Sequence, residues 1–341
     1  MKTVTVERDL FEVEIKPDAR IAEYRRLVDE DVRERLLGGG SLTAFACPGC
    51  LSHTSQVVFQ KSGMAYRECD DCRTVYVSPR PTEEALADFY RSSRAACFWR
   101  EHILPETREA RREKLFRPRA QWVLSVVDQY CPTVRLGIAV GYHNDLLISE
   151  LVRQENHLFP IIVTNAIADI EFQTSDLPNV TIRPSPINAL SSPGSADVIL
   201  AFDIVDRCAD IDALFSSANE TLASGGLLLG TTVSISGFDL QVLWDRSNSI
   251  YPPERLNLLS TEGMALLFER HGFEILEFST PGIFDVEAVQ RAIRAQPDGP
   301  WPRFIRYMME CRDEDAATGL QEYLQKYRLS SFARFVLRKS C

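Results

Sequence analysis

Residues 134–147 read VRLGIAVGYHNDLL. An apolar run, Val134 to Val140, leads into Gly141 and then into Asn144, an N-cap for a helix that Leu146, Leu147 and Leu151 make amphipathic. This is strand, turn, helix. Reading outward, further strand-like runs at 158–164, 179–183, 197–202 and 226–233 alternate with helix-like segments such as Asp210 to Ala223. Such alternation predicts a parallel sheet with helices on both faces. FEILEFST (273–280) reads as a sixth strand and 284–329 as a helical insertion, while SSFARFVLRK (330–339) alternates as a final strand returning to the sheet edge. SGFDLQVLWDRSNSIYPPERLNLLS (236–260) reads as a long functional loop or lid rather than core, after which Ser260 caps the helix TEGMALLFERHGF.

A chain of 341 residues exceeds the roughly 150 residues of one average domain, so more than one unit is expected. The sequence shows no internal repeat, no low-complexity tract and no apolar run near the ~20 residues of a membrane-spanning helix. MKTVTVERDLFEVEIK at the start is too acidic for a signal peptide, and a cytoplasmic location is expected. With no apolar run of that length, no membrane partner is expected, and the net charge of -10 repels phosphate backbones and argues against nucleic-acid binding. Arg108, Arg111, Arg112, Lys114, Arg117 and Arg119 form a local exception. With Glu109 and Glu113 among them, they read first as a solvated, salt-bridged helix face and second as a tRNA or anionic-substrate contact.

The strongest chemistry lies in CPGCLSHTSQVVFQKSGMAYRECDDC (47–72). Cys47 and Cys50 form one CxxC knuckle, Cys69 and Cys72 a second, with 18 residues between them that can make a hairpin. This is the spacing of a four-cysteine zinc ribbon, and four thiolates leave no open coordination position, so the metal is expected to be structural. A redox dithiol and four unrelated buried thiols are the competing readings. Cys97, Cys131, Cys208, Cys311 and Cys341 follow no pattern, and His53 is taken as a surface residue.

ARIAEYRRLVDEDVRERLL (19–37) is helix-like, with Ile21, Tyr24, Val28 and Val32 on one stripe and Gly38 to Gly40 ending it. In VSPRPTEEALADFY (77–90), Thr82 caps a short helix, and further helix from about 98 to 130 is broken near Pro118. The expected organisation is a helical extension (1–43), a zinc ribbon (44–80), a helical linker (81–132) and a sheet domain (133–341).

Taken with ADVILAFDIVDRCADIDALFSSANETLASGGLLLGTT (196–232) and the segment after it, the ribbon and VSPRPTEEALADFY resemble class I S-adenosylmethionine-dependent methyltransferases carrying an N-terminal zinc ribbon. The resemblance implies a Rossmann-like fold with a mostly parallel seven-stranded sheet, bound S-adenosylmethionine and a small-molecule acceptor. It implies cofactor contacts from Ala139, Gly141, Tyr142, Asn165 and Asp203. The cofactor motifs are degenerate. The loop has Gly137, Ala139, Gly141 and His143 where the family has an acid and three glycines, and Asn165 stands where a carboxylate meets the ribose.

The family's acidic motif after the fourth strand reads Asp203, Ile204, Val205, Asp206, Arg207, and its Pro-Pro-Glu-His segment reads PPER, ending at Arg255. Both imidazoles are replaced by arginines, which cannot accept a proton. Asp206, Arg207 and Arg255 are the candidate catalytic residues, with the two arginines suited to an anionic or sugar-like acceptor. Two alternatives are a catalytically silent binding or scaffold subunit on the same fold, and a zinc-ribbon nucleic-acid adaptor that the acidic charge opposes. The sequence leaves the oligomeric state open.

Overall fold

The computed structural model describes residues 10–38, 42–141, 145–154, 160–164, 179–183, 190 and 192–340. The chain opens with two helices, α1 (Glu12–Ile15) and α2 (Asp18–Asp31), the second running on into a π-helical turn at Val32–Leu37. Ile21, Tyr24, Val28 and Val32 are all buried, so the stripe faces inward. A short strand β1 (Leu42–Thr43) precedes the cysteine segment, where β2 (Ser55–Lys61) and β3 (Met64–Cys69) form an antiparallel hairpin that β4 (Val75–Val77) extends. β5 (Arg80–Pro81) pairs back with β1.

Five helices follow: α3 (Glu83–Ser92), α4 (Arg94–Phe98), α5 (Leu104–Arg111) and α6 (Arg117–Tyr130) before the sheet, and α7 (Asp145–Gln154) after its first strand. The Thr82 hydroxyl caps α3 by accepting from the Ala85 amide at 3.3 Å. Around the expected break, a π-helical turn at Arg112–Phe116 joins α5 to α6, and Pro118 sits in the first turn of α6, where its missing N–H costs nothing.

The main sheet is built from β6 (Gly137–Val140), β7 (Ile161–Thr164), β8 (Val180–Ile182), β9 (Ala196–Phe202) and β10 (Leu222–Val233), with α8 (Ile211–Thr221) between the last two. These five run parallel. Every residue of β9 is buried, and the two faces separate with a period of two. Ile199 and Ala201 join the core under the N-terminal helices, whereas Val198, Leu200 and Phe202 join the core under α6 and α7.

After β10 come α9 (Phe238–Leu243), the two-residue strand β11 (Asn257–Leu258), α10 (Thr261–Arg270) and β12 (Phe273–Ser279). The insertion consists of α11 (Asp285–Ala295), α12 (Arg303–Cys311) and α13 (Glu314–Lys326), which share a small core of Val286, Val289, Ile293, Trp301, Met309 and Leu324. The last strand, β13 (Phe332–Lys339), completes a seven-stranded sheet of order β12-β13-β10-β9-β6-β7-β8.

Two expectations are corrected here. The final strand does not return to the sheet edge. It lies antiparallel between β10 and β12, because Phe335, Val336 and Leu337 are fully buried and need cover on both faces. Nor is 236–260 a lid: Leu240, Leu243, Ile250 and Leu256 are core, and β11 pairs with β4 as the fourth strand of the cysteine-segment sheet. No helix among the described residues is long and apolar enough to cross a membrane.

Candidate functional site

In an open α/β sheet, ligands bind off the carboxyl ends of the strands where the strand order reverses. Here that point lies between β6 and β9, since β7 lies on the other side of β6. Val140 is in register with Ala201. Gly141 and Asp203 therefore both stand just beyond the ends of adjacent strands. Gly141 has φ 141°, a backbone conformation open to glycine and strained for other residues, so the chain leaves the strand without a Cβ.

Asp203 has φ 52°, a left-handed conformation that Asp adopts more readily than most residues. The Thr231 hydroxyl fixes it by accepting from the Asp203 amide at 3.2 Å and donating to its carboxylate at 3.0 Å. Arg119 donates to the other carboxylate oxygen at 2.7 Å. The Asp203 side chain still keeps 40% of its surface exposed, enough to meet a ligand. Desolvation alone would raise its carboxyl, but Arg119 and Arg207 outweigh it and hold the group well below the usual range.

Beneath the crevice lies a layer of paired charges. Arg255 meets Asp206 at 3.0 Å, and Arg207 meets Glu254 at 2.7 Å, while the Tyr24 hydroxyl donates to the second Glu254 oxygen at 2.9 Å. Asp206 is 2% exposed, and burial raises its carboxyl despite the facing Arg255 and Arg207. The backbone is tied in as well: the Leu256 and Asn257 amides donate to the Asp206 carbonyl, and the Tyr66 hydroxyl to the Arg255 carbonyl at 2.9 Å.

The four cysteines of the knuckles converge. Their sulfurs all lie within 4.8 Å of one another, with Cys47 to Cys72 at 3.4 Å and Cys50 to Cys69 at 3.5 Å. Tetrahedral zinc with sulfurs at ~2.3 Å needs sulfur separations of roughly 3.8 Å, so the donor set fits such an ion. Hydrogen bonds with the Cys47 thiol and the Thr74 hydroxyl push Cys72 down. The knuckles are also anchored to the sheet domain: Arg270 donates to the carbonyls of Gly49 at 2.6 Å and Pro48 at 3.1 Å, and Ser260 Oγ donates to the Cys72 carbonyl.

The sequence-derived site residues fall into separate places. Gly141 and Asp203 come together at the crevice, whereas Ala139 is fully buried in the core under α6 and α7. Tyr142 and Asn165, like the capping Asn144 and the loop residue His143, lie outside the described residues. Asp206, Arg207 and Arg255 form the paired layer below.

Sequence reasoning missed Tyr24 and Thr231, and it gave Arg111 and Arg119 an anionic-substrate contact only as the second reading of their basic run. Tyr24 looked like one more member of an apolar stripe. Arg119 and Arg111 were hidden in a basic run whose other members do make the expected surface pairs, such as Arg112 with Glu109 at 2.8 Å and Glu113 at 2.7 Å.

Residues 110–277 match the family model described as a methyltransferase domain. Among solved structures, a putative sarcosine dimethylglycine methyltransferase from Galdieria sulphuraria is 14% identical, with 65% of this chain and 86% of that one covered at a TM-score of 0.42. A possible histamine N-methyltransferase from Thermotoga maritima is 15% identical over 68% and 95% of the two chains, at 0.42. The 1,6-didemethyltoxoflavin-N1-methyltransferase of Burkholderia thailandensis, solved with S-adenosylhomocysteine, is 10% identical over 84% and 99%, at 0.46. No curated protein sequence matches the chain. The methyltransferase-domain match at 110–277 spans the crevice strands β6 and β9 and the other parallel strands of the seven-stranded sheet.

Proposed function

We propose that the protein transfers a methyl group from S-adenosylmethionine to a small, anionic or sugar-like acceptor in the crevice between β6 and β9. The observation that carries this reading is the juxtaposition of Gly141 and Asp203 beyond the ends of those two strands. Gly141 gives a bare backbone for close approach, and Asp203 offers a fixed carboxylate; Tyr142 and Asn165 would complete the cofactor contacts. The bound sulfonium would supply an activated methyl group. The protein's own task is then to position the acceptor in line and to exclude water. Arg207 and Arg255 stay protonated and are paired with carboxylates, so they hold the floor of the site and take no proton. The acceptor must therefore bring a nucleophile that needs little deprotonation.

The four cysteines would hold one structural zinc, and 44–80 would serve as a brace for the domain at 133–341. Calorimetric titration of the purified protein with S-adenosylmethionine tests the reading. Binding in the micromolar range or weaker is expected, roughly -8 kcal/mol or less negative, because the sequence has Asn165 in place of the ribose carboxylate and His143 in place of a loop glycine. Asn165→Asp combined with His143→Gly should tighten it. A wild-type protein that takes up no cofactor would instead be a silent binding or scaffold subunit.

A further inference from the structure

Among the described residues around the crevice, four guanidiniums face three carboxylates. Asp203 is taken by Arg119 at 2.7 Å, Asp206 by Arg255 at 3.0 Å and Glu254 by Arg207 at 2.7 Å. The fourth, Arg111 at the end of α5, has no carboxylate partner among the described residues. It donates only to neutral oxygens, the Thr107 hydroxyl at 2.8 Å and the Ile15 carbonyl at 2.5 Å, and its guanidinium carbon lies 5.0 Å above the Trp99 ring. Burial and the nearby Arg119 push this guanidinium down to about 10, against the opposing pull of Asp203.

A second observation points the same way. The Nε–H groups of both Arg207 and Arg255 are buried with no acceptor, although buried donors are rarely left unmade. A surplus positive charge beside unused donors is the complement of an oxyanion. The aromatic wall next to it, Tyr24 against Trp99 at 5.2 Å and Tyr24 against Tyr251 at 6.4 Å, would exclude water from the remainder of the ligand.

We propose that Arg111 recognises the anionic end of the acceptor, a phosphate or carboxylate, beside Asp203. The assignment rests on the methyltransferase reading for its meaning, but anion binding is measurable without it. It moves acceptor recognition from Arg255 and Arg207, whose charges are already neutralised, to the arginine whose charge is not. The competing role for Arg111 is a staple that ties α1 to α5 through the Ile15 carbonyl.

The test titrates the full-length protein with glucose 1-phosphate, with glucuronate and with neutral glucose, at low salt, and separately with S-adenosylmethionine. One of the two anions should bind and glucose should not, and which anion binds identifies the acceptor's charged group. Arg111→Gln should weaken that binding at least tenfold and leave cofactor affinity within about twofold, a difference of under 0.5 kcal/mol. Arg111→Lys keeps the charge but loses the fork and should weaken it by a few-fold, which preserves the test if the glutamine variant fails to fold.

Anion affinity unchanged in the lysine variant, or no anion binding by the wild type, overturns the proposal. A lower melting temperature with unaltered anion binding assigns Arg111 the staple role. Cofactor binding without anion binding leaves the methyltransferase reading standing and removes this one. Anion binding without cofactor binding does the reverse.

Discussion

Arg255 stood in the sequence as a candidate acceptor-binding group, and the structure shows what its side chain does in the folded chain. It is 15% exposed and faces Asp206, which is 2% exposed, at 3.0 Å. Coulomb attraction between groups so little exposed is strong, but so is their desolvation, so the pair is a weak source of net stability and a strong source of damage when broken. Arg255→Leu should therefore destabilise the protein by about 3–5 kcal/mol in urea denaturation, because it strands the Asp206 carboxylate without its counter-ion. Unchanged stability with lost acceptor affinity would return Arg255 to the acceptor. The contrast with Asp203 is instructive: its strained φ and its Thr231 bonds hold a carboxylate at the surface of the crevice, whereas Asp206, three residues later, is spent on the interior. Nothing in DIVDR distinguishes the two acids. Only the strand end, which exposes one and turns the other under the sheet, separates them.

At the scale of elements, the two-residue strand β11 carries more than its length suggests. Asn257 donates to the Val205 carbonyl at 3.0 Å and the Cys208 carbonyl at 2.9 Å, and accepts from the buried Arg80 at 2.6 Å. Its backbone pairs with Tyr76. One side chain thus joins the cysteine-segment sheet to the loop that holds Asp203 and Asp206. Asn257→Ala takes a donor from two carbonyls and one of the three acceptors from the Arg80 guanidinium in a fully buried place, and should cost about 2–4 kcal/mol, with an equal shift seen by fluorescence and by far-ultraviolet circular dichroism if unfolding stays two-state. A cost under about 0.5 kcal/mol, the level of a neutral surface substitution, would show that the stitch is dispensable. The sequence could not reveal this element. The alternating runs of the parallel strands and the caps at Thr82 and Ser260 were legible because periodicity and capping are local. The segment 236–260 was misread because its apolar residues are separated by Ser, Asn, Asp and Pro, a composition typical of loops, and are buried by contacts with residues far away in the chain. The place of β13 was equally hidden: strand order is a property of the sheet, not of SSFARFVLRK.

For the molecule as a whole, the cysteine segment, the N-terminal helix and the sheet share one continuous core: Tyr24, Val28, Met64, Tyr66, Val75 and Val77 pack in the same cluster as Ile138, Val140, Ile199 and Phe335. The sequence reads as a helical extension (1–43), a zinc ribbon (44–80), a helical linker (81–132) and a sheet domain (133–341); residues of these segments share that core, and α2 contributes Tyr24 to the charged layer. Metal loss should then be felt at the crevice. The knuckle that carries Cys72 receives a hydrogen bond from Ser260, and Thr74 receives one from the Ser260 amide at 3.2 Å, so the turn that would hold the ion also holds the start of α10 and the end of the β11 segment. That segment carries Glu254 and Arg255, the partners of Arg207 and Asp206. We expect about one zinc per chain in protein purified without chelator, as four thiolates close one tetrahedral site. Cys69→Ser, or stripping by a thiol-competing chelator, should lower the melting temperature and weaken S-adenosylmethionine binding together, and adding zinc back to the stripped wild type should restore both. Thermal scans and cofactor titrations on metal-free and reloaded protein decide it. Well under one equivalent of metal would remove the zinc assignment, while a metal-free protein with a lower melting temperature but full cofactor affinity would show that the brace ends at β11 and does not reach the crevice.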